Sequence, residues 1–135
     1  MKRIIAIVLL FTCLISFSSC SHGVVSFVEI PEYSSEVYSD EDIESAINIV
    51  KQTFAEIEDR WTLIELSYIG DERLDSYQDW ADRNDADEVI VILSDFYISL
   101  FSDNPTMGAG HKYEDYNWIL VRNEGEEWRI VDKGY

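Results

Sequence analysis

Asp95 has the most distinctive setting of any acid in this chain. It ends the apolar run Ile90-Val91-Ile92-Leu93-Ser94 and is followed by Phe96-Tyr97. A carboxyl turned from such a strand into a closed cavity loses water, has its pKa raised and can serve as a general base. Tyr97 and Trp118 are the aromatic side chains placed to line that pocket beside Asp95. The simpler reading has Asp95 facing water where the strand leaves the core, with the large aromatics as core bulk. Other chemistry is thinly represented. His22 and His111 stand apart, without the second His or Cys that a transition-metal site needs. Asp82, Asp85, Asp87 and Glu88 offer the hard oxygen atoms that suit calcium. However, Asp85-x-Asp87 lacks the later Gly and distal Glu of an EF-hand loop, so a solvated acidic connector is expected. There is no Gly-x-Ser-x-Gly elbow and no thiol beyond Cys20. No catalytic residue, metal or cofactor is assigned.

The elements that must position these residues begin after a leader. Lys2 and Arg3 precede an almost unbroken apolar run from Ile4 to Phe17. Its 14 residues are too few to span a bilayer, which takes roughly 20, and they have the order of a secretory signal. Phe17-Ser18-Ser19-Cys20 resembles the lipobox of bacterial lipoprotein precursors, with Phe17 where Leu is usual. That resemblance implies cleavage after residue 19 and acylation of Cys20. Cys13 would leave with the leader, so Cys20 would be the sole thiol of the mature chain. Removing residues 1–19, which hold two basic and no acidic side chains, leaves 8 basic against 27 acidic residues and a net charge of −19. Such a chain is a poor partner for nucleic acid, whose phosphates attract Lys and Arg. The 47% apolar content excludes a disordered acidic tail.

Residues 20–38 have no clear period and are read as a lipid-anchored tether, although Val24, Val25, Phe27, Val28 and Ile30 could add an edge strand. The folded domain is placed at 39–135. Ser39 three residues before Asp42, with Asp40 and Glu41 between, predicts a helix start. Ile43, Ala46, Ile47, Val50, Phe54 and Ile57 recur at spacings of three and four, so the helix runs from Asp40 to Ile57. Strands are expected over 61–69 and 87–100, a short helix over 75–84 and a long loop over 102–116. A hairpin over 117–133 turns at Glu124-Gly125-Glu126. This order predicts an α+β domain, a long N-terminal helix packed on a curved antiparallel sheet of about four strands.

Trp118-Ile119-Leu120-Val121-Arg122, a Gly-containing turn and Trp128-Arg129-Ile130-Val131-Asp132-Lys133-Gly134-Tyr135 resemble the closing hairpin of cystatin-like α+β domains. Nuclear transport factor 2-like domains often end in this way. With Ala86-Asp87-Glu88-Val89, the region 39–135 resembles small bacterial lipoproteins of unknown function. The resemblance implies the roll and leaves the activity open, because that fold hosts isomerases, dehydratases and non-catalytic association domains. Two functions follow as expectations. The first is a non-catalytic binding module held by its lipid on the extracytoplasmic side of the bacterial cell membrane, its ligand an unknown protein or cell-envelope component. The alternative is a small isomerase- or dehydratase-like enzyme using Asp95 in an aromatic cavity. A filled aromatic core separates them from a cavity of roughly 300 Å³ ending at Asp95.

Overall fold

Ser39 sets the first helix. In the computed structural model, which describes residues 23–58, 60–103 and 107–135, its hydroxyl accepts from the Asp42 amide. The Asp42 carboxylate accepts from the Ser39 amide in return, a closed capping box. The Ser39 hydroxyl also donates to that carboxylate at 2.7 Å, and this bond first, then Arg122, holds the Asp42 carboxyl below its ordinary value. Helix α1 (Asp40–Ile57) follows with the expected bounds and buries Ile43, Ala46, Ile47, Val50 and Phe54.

Four strands form one antiparallel sheet in the order β1 (Trp61–Tyr68), β2 (Glu88–Ile98), β3 (Lys112–Arg122), β4 (Arg129–Gly134). Irregularities in register at Leu63/Glu65, Ser94/Phe96 and Ile119/Leu120 bend it, one in each strand pair. The chain is therefore the α+β arrangement that the patterning predicts, a long helix on a curved four-stranded sheet. The Trp118 ring lies 6.4 Å from that of Phe54, so Trp118 faces α1. Its neighbour Asn117 must face the other way, where its side-chain amide oxygen accepts from the Tyr77 hydroxyl at 3.4 Å. The short helices thus cover part of the second face. This double cover explains why Val89, Ile90, Val91 and Ile92 are all fully buried.

The expected single helix over 75–84 is replaced by three pieces: α2 (Asp71–Leu74), a 3₁₀ turn (Asp75–Tyr77) and α3 (Gln78–Arg83). No side chain caps the N-terminus of either short helix; Leu74 and Ala81 pack inward from them, and the Asn84 side chain donates to the Trp80 carbonyl at the end of α3. The expected loop over 102–116 ends early, because β3 begins at Lys112. Its polar first half, Lys112-Tyr113-Glu114-Asp115, pairs with the far end of β2 on a stretch with exposed positions.

The described part of the expected tether is docked instead of free. The Gly23 amide donates to the Ala55 carbonyl at 3.1 Å, the Val24 amide to Trp61, and the Leu63 amide back to Val24. Glu29 and Leu66 repeat that exchange further along β1. The segment therefore runs parallel to β1 and covers its open edge through two bridges. Ser35 and the Glu36 amide then donate to Asp71, and the Tyr38 hydroxyl donates to the Val89 carbonyl.

One cluster fastens the far end of the fold. Arg122 donates to Asp42 at 2.7 Å and to Glu88 at 2.6 Å, and its guanidinium lies 4.1 Å from the centre of the Trp128 ring. The Trp128 indole donates to the Asp42 carbonyl, and the Tyr38 ring meets Trp128 edge-on at 5.5 Å. A helix start, two strands and the docked segment are thereby tied together.

Candidate functional site

β2 carries Asp95 and Tyr97 on one face, and β3 carries Trp118 on the other. Ser94 fixes the alternation, because its hydroxyl accepts from the Trp118 indole at 2.8 Å, on the α1 side. Asp95 then points away, opposite Glu65, and Tyr97 two residues on lies opposite Thr62 and Lys112. The three side chains expected to line one pocket are therefore not brought together. Asp95 is partly exposed and engaged: one carboxylate oxygen accepts from the Asp115 amide at 3.0 Å, and the other lies 3.2 Å from the Lys112 ammonium. Tyr97 is exposed and Trp118 buried. Glu65 beside Asp95 has its carboxyl pushed up, chiefly by loss of water and then by Asp95 and Glu29. Lys112 divides its charge between Asp95 and Glu114, and both raise its pKa. At this corner of the sheet Lys112 pairs with Asp95 and Glu114 at the surface, while Glu65 faces like charge.

On the α1 face the space that a cavity would occupy is filled with rings. Phe54 contacts Trp61, Phe96 and Trp118, and Trp61 stacks on Phe96 at 4.7 Å. Trp61, Trp118 and Trp128 are each at most 4% exposed. Trp80, on α3, lies nearer the surface under the Arg83 guanidinium.

Concave surface lies outside that core. Three adjoining hollows of about 480, 390 and 220 Å³ share Glu44 and follow the N-terminal half of α1. One wall is the docked segment at Ile30 and Tyr33. The charged groups among the described residues lining this trough are Glu32, Asp40, Glu41, Glu44 and Glu127, with no Lys or Arg. Burial, then Glu44 and Asp40, raises the Tyr33 phenol's pKa. A smaller cleft of about 210 Å³ lies between the short helices and β4, with Tyr77, Trp80 and Tyr135 beside Asn117 and Asp132.

The acidic connector is dispersed by its own bonds. Asp87 accepts from the Glu124 amide and Glu88 pairs with Arg122, while Asp85 sits at positive φ in the turn. Among the described residues no three His, Cys, Asp or Glu side chains group as a metal site. His111 is exposed in the β2–β3 connection. Cys20 and His22 lie outside the described residues. No helix among the described residues is long and apolar enough to cross a membrane.

The trough was not visible in the sequence. Glu41 reads as a helix-start charge and Glu44, Asn48 and Gln52 as residues off the apolar stripe, and only docking of Ile30 and Tyr33 turns that side into a concave surface. Comparison with protein-family models, curated proteins and solved structures finds no match to this chain.

Proposed function

We propose that this protein is a lipoprotein tethered by Cys20 to the extracytoplasmic side of a bacterial cell membrane, acting as a non-catalytic binding module through its outer surface. What carries the binding reading is the division of its aromatic side chains and hollows. Trp61, Trp118 and Trp128 are consumed by the core, and the larger concave surface runs along the acidic side of α1. The likeness of Phe17-Ser18-Ser19-Cys20 to a lipobox supports the anchor, and the roll supports the resemblance to cystatin-like domains. The enzymatic alternative would need Asp95 within a closed pocket. Its pairing with Lys112 and the Asp115 amide at the surface weighs against it.

An unknown protein or cell-envelope component is the ligand class, recognised at a trough that offers carboxylates beside the apolar side chains of Ile30, Tyr33 and Ile47. The test has two arms. Cys20→Ala should release the protein from the membrane fraction or leave the precursor uncleaved; normal maturation with retention at the membrane refutes the anchor. Capture from a cell-envelope extract with the lipidated protein should fall for the triple variant Glu41→Gln/Glu44→Gln/Glu127→Gln. Unchanged capture moves the contact off the trough.

A further inference from the structure

We propose that the end of the domain bearing Val24, Ile57, Leu100 and Phe101 rests on the surface of the lipid bilayer that holds Cys20. This rests on the lipoprotein reading above and adds an orientation to it.

The first argument is the length of chain outside the structure and where it ends. Three peptide units separate Cys20 from Gly23 and reach at most about 11 Å when fully extended. A free 18-residue spacer would reach about twice as far on average, but the chain is already fastened at Gly23. Its amide donates to the Ala55 carbonyl near the end of α1, and Val24 exchanges two bonds with β1 at 2.8 and 2.9 Å. The fit at Gly23 is close: a Cβ there would stand 2.7 Å from the Phe54 carbonyl oxygen and 2.8 Å from that of Glu58. The acyl chains are therefore held within a short leash of one particular end of the fold.

The second argument is independent of the anchor. Large apolar side chains are exposed at that same end: Val24 by 48%, Ile57 by 52%, Leu100 by 71% and Phe101 by 76%. Their common position follows from pairing. Trp61, which receives the Val24 amide, lies opposite Ile98, and the Ser99 amide donates to the Arg60 carbonyl. The Arg60 guanidinium in turn donates to the Phe101 carbonyl at 2.7 Å. The turn that presents Leu100 and Phe101 is closed by the Ser102 amide on the Ser99 carbonyl, and the Phe101 amide donates to the Ser99 hydroxyl. Two adjacent apolar side chains on a built turn, level with the anchor point, are suited to the headgroup boundary of a bilayer.

Charge selects the lipid. Glu56 and Asp103 are exposed at this end, and the mature chain is strongly acidic. An anionic surface would repel it over about 8–10 Å in physiological salt. A neutral surface such as phosphatidylcholine is the better support.

The experiment uses the acylated chain in phosphatidylcholine vesicles. Once Cys20 is acylated no thiol remains in the mature chain, so Phe101→Cys and, at the opposite end, Glu124→Cys each accept one nitroxide label. Collisions with dissolved oxygen and with a water-soluble nickel complex report the depth of each label. The label at 101 should favour oxygen over nickel severalfold more than the label at 124, and phosphatidylglycerol in the vesicles should reduce that contrast. In the Leu100→Ser/Phe101→Ser variant, a label at Ile57→Cys should lose its contrast. Equal contrast at 101 and 124, in protein that floats with the vesicles, overturns the orientation and leaves the anchor standing. A Cys20 chain that is not acylated and does not float overturns the lipoprotein reading, and the orientation with it.

Discussion

Phe54→Ala removes the side chain on which the α1 face of the core converges. The ring is fully buried and lies 6.2 Å from Trp61, 5.8 Å from Phe96 and 6.4 Å from Trp118. Truncating a buried Phe to Ala costs about 3–5 kcal/mol, combining lost transfer energy with the cavity left behind. Three aromatic neighbours, all in fixed strands, cannot collapse into the space, which places the expected loss in the upper half of that range. At about 4 °C per kcal/mol for a domain of this size, the melting temperature should fall by roughly 16–20 °C. The assay is thermal unfolding followed by far-ultraviolet circular dichroism, with Ile57→Ala as the internal control. Ile57 is three residues further along the same helix and half exposed. Its loss should stay within about 0.5 kcal/mol of neutral. A fall below about 4 °C for Phe54→Ala, or equal falls for the two variants, would refute the packing of α1 on this sheet.

The other expectations address the fastenings. Arg122→Ala leaves Asp42 and Glu88 facing each other without their cation; because the site is partly open to water, the loss should be about 1–3 kcal/mol by urea titration. Gly23→Ala should undock the segment along β1, read as faster hydrogen exchange at the Leu63 and Leu66 amides while those of Ile90 and Leu120 stay protected. Unchanged exchange would show that the bridges are not holding the segment. Asp42 and Asp71 have carboxyls held low, Asp71 first by Ser35, so their contribution is present above the ordinary value of 3.8 and disappears as pH falls through their folded values. Melting temperature should decline across that acid range and decline less in Asp42→Asn. Burial pushes the Tyr38 phenol up to about 12, so its contribution is present below pH 10 and is lost as pH rises through 12. Ultraviolet titration of Tyr38→Phe should lack one late-titrating phenol.

α1 was legible to the residue, because Ser39 and Asp42 signal a start by local hydrogen bonding and the apolar stripe signals a face. The doubly covered strand was legible in Val89 to Leu93 for the same reason: burial on two faces leaves no polar alternation. The beginning of β3 was not, since Lys112 to Asp115 lie beside an uncovered part of the sheet where nothing demands an apolar side. Asp115 adopts positive φ there, and its amide caps Asp95. That exchange satisfies Asp95 without burying it, and composition alone cannot distinguish this from a carboxyl aimed inward. The docking of residues 23–38 was legible only as the lesser alternative, that Val24, Val25, Phe27, Val28 and Ile30 could add an edge strand. Two isolated bridges require no repeating pattern, so the segment carries the composition of a tether while covering an edge.

The placement of the fastenings gives the domain two unlike ends, and this bears on how a tethered binder would work. At one end Gly23 joins α1 to β1 beside exposed Leu100 and Phe101. At the other, Arg122 and Trp128 hold the start of α1, and the acidic trough of Glu41, Glu44 and Glu127 opens beside them. A long flexible spacer would let those ends exchange freely, and the anchor would then only raise local concentration. On the proposed anchoring at Cys20, a leash of three peptide units would couple the acyl chains to the orientation of the trough. Lengthening it tests that coupling. Inserting a ten-residue Gly-Ser spacer between Cys20 and Ser21 leaves every bond from Gly23 onward intact, so stability and membrane retention should be unchanged. Capture of envelope material that needs a fixed height and direction should fall, while capture by the same domain on beads should not. Equal loss on beads would mean that the spacer damages the domain, and no loss on the membrane would mean that orientation is irrelevant to binding.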